Sequence, residues 1–252
     1  MNTDLFAKYI PNFLFILLRA GIVISLLPFF GSRNFPAKFK LGFIVALALV
    51  LTPVVEFVTP KTNLPICVLR EVIFGIVLAL AARFVFFAID MAGQVMSNSI
   101  GLSIAHLFDP EIGQSTEVAR LYGLIAMLIL LATDAHHDLI YSFVKSYEWL
   151  PAGEMEISNL FPAVVYFGSM TFIIALKISA PVVIAMLISH ILLGFIYKAA
   201  PQINIFFVAY PIYIFVGFLV MLISIPVFVH VTGGYFSTIK DEMAKVIAIT
   251  RG

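Results

Sequence analysis

From Pro162 to Ala199 the chain runs for 38 residues with few interruptions to its apolarity, chiefly Lys177 and Pro181. A run of that length cannot bury itself inside a soluble domain of this size. It reads as membrane-spanning helix, either one kinked segment or two shorter ones. The rest of the chain agrees. Of 252 residues, 62% are hydrophobic and 12% charged, with a mean hydropathy of +1.09; soluble domains carry about 25% charge. The expected fold class is therefore all-α and polytopic.

About six apolar segments are legible. Residues 11–30 (PNFLFILLRAGIVISLLPFF) are long enough to cross a bilayer core of about 30 Å. The loop 31–40 (GSRNFPAKFK) carries Arg33, Lys38 and Lys40, which makes it the best candidate for a cytoplasmic loop. A second segment follows from Pro36 to about Val58. Pro11 and Pro28 share a 17-residue spacing with Pro36 and Pro53, so each helix is expected to open on a proline and bend near its far end. The third segment opens at Pro65 and is over-long for a bilayer. It holds Arg70, Glu71, Arg83 and Asp90, and the last two lie seven apart on one face. The fourth covers residues 121–133, the fifth 162–199, and the sixth opens at Pro201 and contains Pro211 and Pro226. Residues 233–252 read as a short, charged, solvated tail. The N-terminus lacks the features of a cleaved signal, since Asp4 and Arg19 interrupt it, and the first segment is expected to be retained.

Residues 93–120 (GQVMSNSIGLSIAHLFDPEIGQSTEVAR) break this pattern. Gly93, Gly101, Gly113 and Pro110 punctuate it, and small polar residues fill Ser97 to Ser99. It reads as an internal polar loop, which within a membrane must sit at an interface, be buried in protein or line a water-filled path. Phe108, set between a histidine and Asp109-Pro110, either closes an aqueous path or folds back to anchor the loop.

Other constellations point to less. Asp134, His137 and Asp138 in DAHHD share a helical face, so a zinc site or proton relay competes with a polar helix end at the membrane surface. Arg19, Arg83, Asp90 and Lys177 are intramembrane charges that serve either an ion path or structural pairing between helices or subunits. His106, His190 and His230 are isolated. Gly113-Gln114-Ser115 lacks the closing glycine of a nucleophile elbow, and no phosphate loop with a lysine is present. The lone Cys67 excludes an internal disulfide, and a net charge of +1 with dispersed basic residues gives no nucleic-acid footprint. No catalytic, metal or cofactor site is assigned, and an enzyme is not expected.

Four stretches carry a resemblance: GSRNFPAKFKLGFIVALAL, EVIFGIVLALAARFVFFAIDMAGQVMSNSIGLSIAHLFDP, DAHH with the later SFVKSYEWLP, and LLGFIYKAAPQINIFFVAYPIYIFVG. In this order and spacing the chain resembles the FliR family of bacterial flagellar export-gate subunits, whose wider membership includes counterparts in virulence-type III secretion. The resemblance runs from about residue 10 to 230, and Ala135 stands where the family usually has glycine. It implies a single domain over 1–252, built of long, proline-kinked helical hairpins slanted around a central channel shared with partner subunits. The implied partners are FliP-like and FliQ-like membrane subunits, with FlhB-like and FlhA-like export components. Unfolded flagellar proteins would be the substrates, in the inner membrane of the flagellar basal body. The family's plug matches residues 101–120 here. That places Leu107 and Phe108 as closing groups, Asp109 and Pro110 in the turn beside them, and Gly101 and Gly113 as hinges. The resemblance also favours pairing against partner subunits for Arg83, Asp90 and Lys177.

Overall fold

A computed structural model describes residues 3–27, 36–55, 64–102, 116–150, 160–200, 202 and 205–251. They form helices α1 (Thr3–Leu26), α2 (Ala37–Leu51), α3 (Leu64–Ile100), α4 (Glu117–Ala132), α5 (Ala135–Trp149), α6 (Leu160–Ala199), α7 (Ile205–Ser237) and α8 (Ile239–Arg251). No strand occurs among the described residues. The protein is all-α and polytopic. Stretches of α1, α3, α6 and α7 are each long and apolar enough to cross a membrane, and α4 with α5 passes the same test only as a bent pair. At 15 residues, α2 reaches about 22 Å, short of the ~30 Å hydrocarbon core.

Several element boundaries differ from the sequence expectation, each for a local reason. Pro11 does not open a helix, because α1 starts at Thr3 and runs through it. Helices of membrane proteins tolerate the lost hydrogen bond where neighbours re-satisfy the backbone. The second segment stops at Leu51, two residues before Pro53, which cannot continue an α-helix without losing its N–H bond. The carbonyls freed there are used: Asn12 Nδ2 donates to Thr52 O (2.8 Å) and Val55 O (2.9 Å). The region 162–199 is one helix, with Pro181 inside it, and α7 likewise contains Pro211 and Pro226.

Neither end of the polar stretch 93–120 is a loop, since 93–100 continue α3 and 117–120 open α4; residues 103–115 between them lie outside the described residues. Small polar residues are admitted to the helix because their hydroxyls bond back to its own backbone; Ser99 Oγ donates to Val95 O at 2.8 Å. The C-terminal region is also not a solvated tail. α8 buries Ile239, Met243, Val246 and Ile247, together with Glu242.

The described chain gathers into two compact units: residues 1–84, 134–168 and 237–252 form the first, and 85–133 and 169–236 the second. In the first unit α1 packs on α2, and α5 packs on α8. Gly75 lets α3 approach α1, since a Cβ there would lie 3.3 Å from Ile22 Cβ. In the second unit, the Tyr122 ring meets Phe228 edge-on at 4.6 Å between centroids.

Candidate functional site

The sequence directs attention to residues 101–120. Of the plug residues expected there, Leu107, Phe108, Asp109, Pro110 and Gly113 lie outside the described residues. Gly101 and the two stems of the segment are described, and all lie in the second unit.

The leading stem is the end of α3. Gly101 N donates to Ser97 O and Asn98 O, each at 3.1 Å, and then turns with φ of +92°, a conformation that ends helices and that side-chain-bearing residues resist. Helix ends leave carbonyls without partners, and here the Tyr210 hydroxyl donates to Gly101 O at 3.0 Å. A Cβ on Gly101 would sit 3.3 Å from Tyr210 Cε2. Glycine is therefore needed twice at this position, for the turn and for the ring. One residue earlier, fully buried Ile100 lies over Gly217 of α7 so closely that a Cβ there would stand 2.5 Å from Ile100 Cγ1.

The returning stem is Thr116, the N-cap of α4. Its side chain accepts from Ala119 N at 3.2 Å and donates to Gly93 O at 3.5 Å. Beside it α4 touches α3 at backbone distance, since a Cβ on Gly93 would fall within 2.7 Å of Ala119 N and closer still to its Cα. Both stems are thus close-packed, the leading one at the end of α3 and the returning one on α4 against α3, with Gly93, Gly101 and Gly217 at the contacts. The glycines were legible in the sequence, but Tyr210 and Ala119 opposite them were not.

In the first unit, Arg19 resolves as a structural pair. Its Nε and Nη2 donate to the two carboxylate oxygens of Glu71, each at 2.7 Å. Nη1 donates to Ser146 Oγ, and Nη2 also to Leu150 O, both at 3.2 Å. The guanidinium lies over the rings of Phe74 (4.7 Å) and Tyr147 (4.3 Å). This fork joins α1, α3 and α5, and Arg19 is fully buried. The other charges are placed differently. Asp90 accepts from Gln94 Nε2 at 2.8 Å. Lys177 Nζ donates to Tyr235 OH at 3.2 Å on an exposed face. Arg83 is half-buried, seven residues before Asp90 on the continuous α3.

The DAHHD cluster sits where α5 begins. Asp134 turns with φ of 55°, and Asp134, His136 and His137 bring possible ligand atoms within 4.8 Å of one another; Asp138 is outside that grouping. Asp134 Oδ1 and His137 Nδ1 stand 3.6 Å apart on side chains more than two-thirds exposed, and the N-terminal end of a helix disfavours a cation. The arrangement is a polar helix start rather than an enclosed ligand set.

Residues 10–239 match the model of the family described as bacterial export proteins, family 1. The chain belongs to this family. It is similar to flagellar biosynthetic protein FliR of Bacillus subtilis (strain 168), 28% identical over 253 residues that cover 95% of each chain. Against flagellar biosynthetic protein FliR of Escherichia coli (strain K12) it is 28% identical, covering 98% of this chain and 97% of the relative. The same protein of Caulobacter vibrioides is also 28% identical, over 87% of this chain and 90% of its own. Matches that run nearly end to end place the described stems inside the shared region.

Proposed function

We propose that this chain is a subunit of the flagellar type III secretion export gate, where it helps to form and close the channel that carries unfolded flagellar proteins across the bacterial inner membrane. The observation that carries the reading is the match of residues 10–239 to a bacterial export family, with full-length similarity to proteins named for flagellar biosynthesis. Those relatives favour the flagellar branch over virulence secretion. In this role the chain transports and does not catalyse. It assembles with FliP-like and FliQ-like subunits and meets FlhB-like and FlhA-like components. The 101–120 region acts as the plug, with Leu107 and Phe108 as the apolar closing groups, Asp109 and Pro110 shaping the turn, and Gly101 and Gly113 as its hinges. The close-packed stems on α3 support this reading, because a plug must be held by rigid roots to seal at all. Arg83, Asp90 and Lys177 serve contacts with neighbouring helices or subunits.

Native mass spectrometry of the complex, extracted gently from its own membrane, tests the assembly. One copy of this chain bound to several copies of two other small membrane proteins is expected, and a homogeneous homo-oligomer would overturn the reading. For the plug, Phe108→Ala in the assembled complex is expected to raise resting ion conductance. Conductance equal to that of the unaltered complex, with assembly intact, removes the gating role.

A further inference from the structure

Within the second unit, one face of α6 runs from lysine to lysine. Lys177 and Lys198 are 21 residues apart, about 31 Å along a helix and close to the ~30 Å of a bilayer's hydrocarbon core. No Asp, Glu, Lys or Arg lies between them. Ile184, Ile188, Ile191 and Phe195 follow Lys177 at steps of seven, four, three and four residues, so they share its face. Each of the four is more than half exposed, and both lysines are exposed as well. His190, beside this face, lies against the Tyr213 ring of α7, with centroids 4.2 Å apart.

α7 changes character at the level of Lys177. There Val231 gives way to Thr232, Gly233, Gly234 and Tyr235, and a tyrosine at such a boundary suits the membrane–water interface. The Tyr235 hydroxyl accepts from Lys177 Nζ at 3.2 Å, and the ammonium stands 5.7 Å from the ring centroid. The next residue, Phe236, is fully buried and lies 5.5 Å from the Phe86 ring of α3, which anchors this end of α7 and leaves Tyr235 half-buried beside the lysine. Among the described residues no carboxylate stands within ion-pair distance of Lys177. Tyr235 takes one of the ammonium's three N–H groups, which leaves donors for a ligand from outside the chain.

We propose that Lys177 and Tyr235 bind the phosphate of an anionic phospholipid whose acyl chains lie along the seam of Ile184, Ile188 and Ile191. The inference goes beyond the export-gate reading and does not depend on it. The ammonium supplies the charge, and charge-assisted hydrogen bonds to phosphate oxygens are strong ones. Lys198 meets the headgroups of the opposite leaflet, since lysine side chains extend from an apolar surface toward the interface at either end. A protein occupant would have to present an acidic group at both ends of this apolar seam. A bilayer presents phosphates at both of its surfaces, at a separation that the two lysines match. The pair of lysines therefore fixes the depth of α6 in the membrane, and the Lys177–Tyr235 end carries the headgroup site.

The test uses native membranes that contain the full chain with whatever it assembles with. Phosphatidylglycerol and phosphatidylcholine, each with a photoreactive group in its headgroup, are supplied separately, and adducts are located by peptide mass spectrometry. Labelling of α6 around Lys177 is expected to favour phosphatidylglycerol. Lys177→Gln is expected to lower that preference about fivefold, the weight of one lysine at an anionic membrane surface. Tyr235→Phe is expected to lower it about twofold or more, and Lys177→Arg to retain it. A preference unchanged in Lys177→Gln overturns the proposal; if that variant does not accumulate in the membrane, Tyr235→Phe decides alone. Excess inorganic phosphate is expected to leave the labelling in place, and its loss would assign the site to free phosphate and overturn the lipid. A carbodiimide cross-link from Lys177 to a carboxylate of another subunit in the unaltered protein would make this a protein contact and overturn the proposal too. Each of these failures leaves the export-gate reading standing, because that reading is tested by assembly and by Phe108.

Discussion

Arg19 shows what a charge costs in this protein and what offsets it. Its fork uses four of its five N–H groups on Glu71, Ser146 and Leu150, and two aromatic faces cover the guanidinium. A buried pair of this kind adds little net stability, but removing one partner strands the other charge, at about 3–5 kcal/mol. Arg19→Ala and Glu71→Ala are therefore each expected to reduce accumulation of the folded chain in the membrane. The Arg19→Met, Glu71→Leu double variant is expected to lose less than either alanine variant. Unfolding of the detergent-solubilised complex, followed across all three, measures the coupling; costs that simply add would show that the pair is not a pair. The sequence makes the need for a partner plain, because an arginine inside an apolar run demands one. It does not identify Glu71, which lies 52 residues away and is chosen only by how α3 packs on α1. The glycines behave alike. Gly93 and Gly217 sit in sequence without any mark of what faces them, and the close approach of Ala119 and Ile100 is a tertiary fact. Gly217→Ala is expected to cost about 1–3 kcal/mol by overpacking, read as a lower unfolding temperature, and an unchanged temperature would mean that Ile100 has room to move.

At the level of elements, α8 departs furthest from its sequence. Charges at Lys240, Asp241, Glu242, Lys245 and Arg251 make the region read as solvated, yet the apolar residues at 239, 243, 246 and 247 recur with helical spacing and all are buried. The amphipathic pattern was present, and the density of charge concealed it. Glu242 pins the helix from within. Both its oxygens are engaged, by Tyr166 OH at 2.8 Å and Lys245 Nζ at 2.6 Å, and the hydrogen bond it donates to Glu242 holds the Lys245 ammonium above its ordinary pKa. Tyr166→Phe leaves one oxygen of that buried carboxylate without its donor, at about 1–3 kcal/mol. The expected result is earlier release of α8 from α6, seen as faster amide exchange over 239–251, with exchange in α3 unchanged. Equal exchange in the two proteins would show that the apolar contacts alone dock the helix. Proline had the opposite effect on the reading. It predicted helix openings at Pro11 and a longer second segment, where the structure has an interior proline and an early stop. At Pro11 the helix runs on through the proline, whereas Pro53 ends the second helix two residues ahead of itself.

For the molecule as a whole, length and exposure together bear on what surrounds it. At 37, 40 and 33 residues, α3, α6 and α7 reach roughly 50–60 Å, well beyond a hydrocarbon core of about 30 Å. The most apolar part of α7 is only 22% buried within the chain, against 61% for α3. Large side chains stand open along it, among them Phe207, Phe215, Leu222 and Ile223. Lipid suits such a surface over the thickness of the bilayer, but a helix this long needs protein or water beside it elsewhere. If the chain is one subunit of a larger export gate, α7 lies against other subunits over part of its length. Cys67 is buried, so cysteines placed singly at Phe215, Leu222 and Ile223 report on their own surroundings with little background. In cells carrying the whole export apparatus, at least one is expected to cross-link to a different membrane protein, and the product is expected to disappear when the other subunits are absent. Labelling at all three by a lipid-soluble reagent, with no cross-link in either background, would mean that this face is turned entirely to lipid and that the chain completes its membrane structure alone.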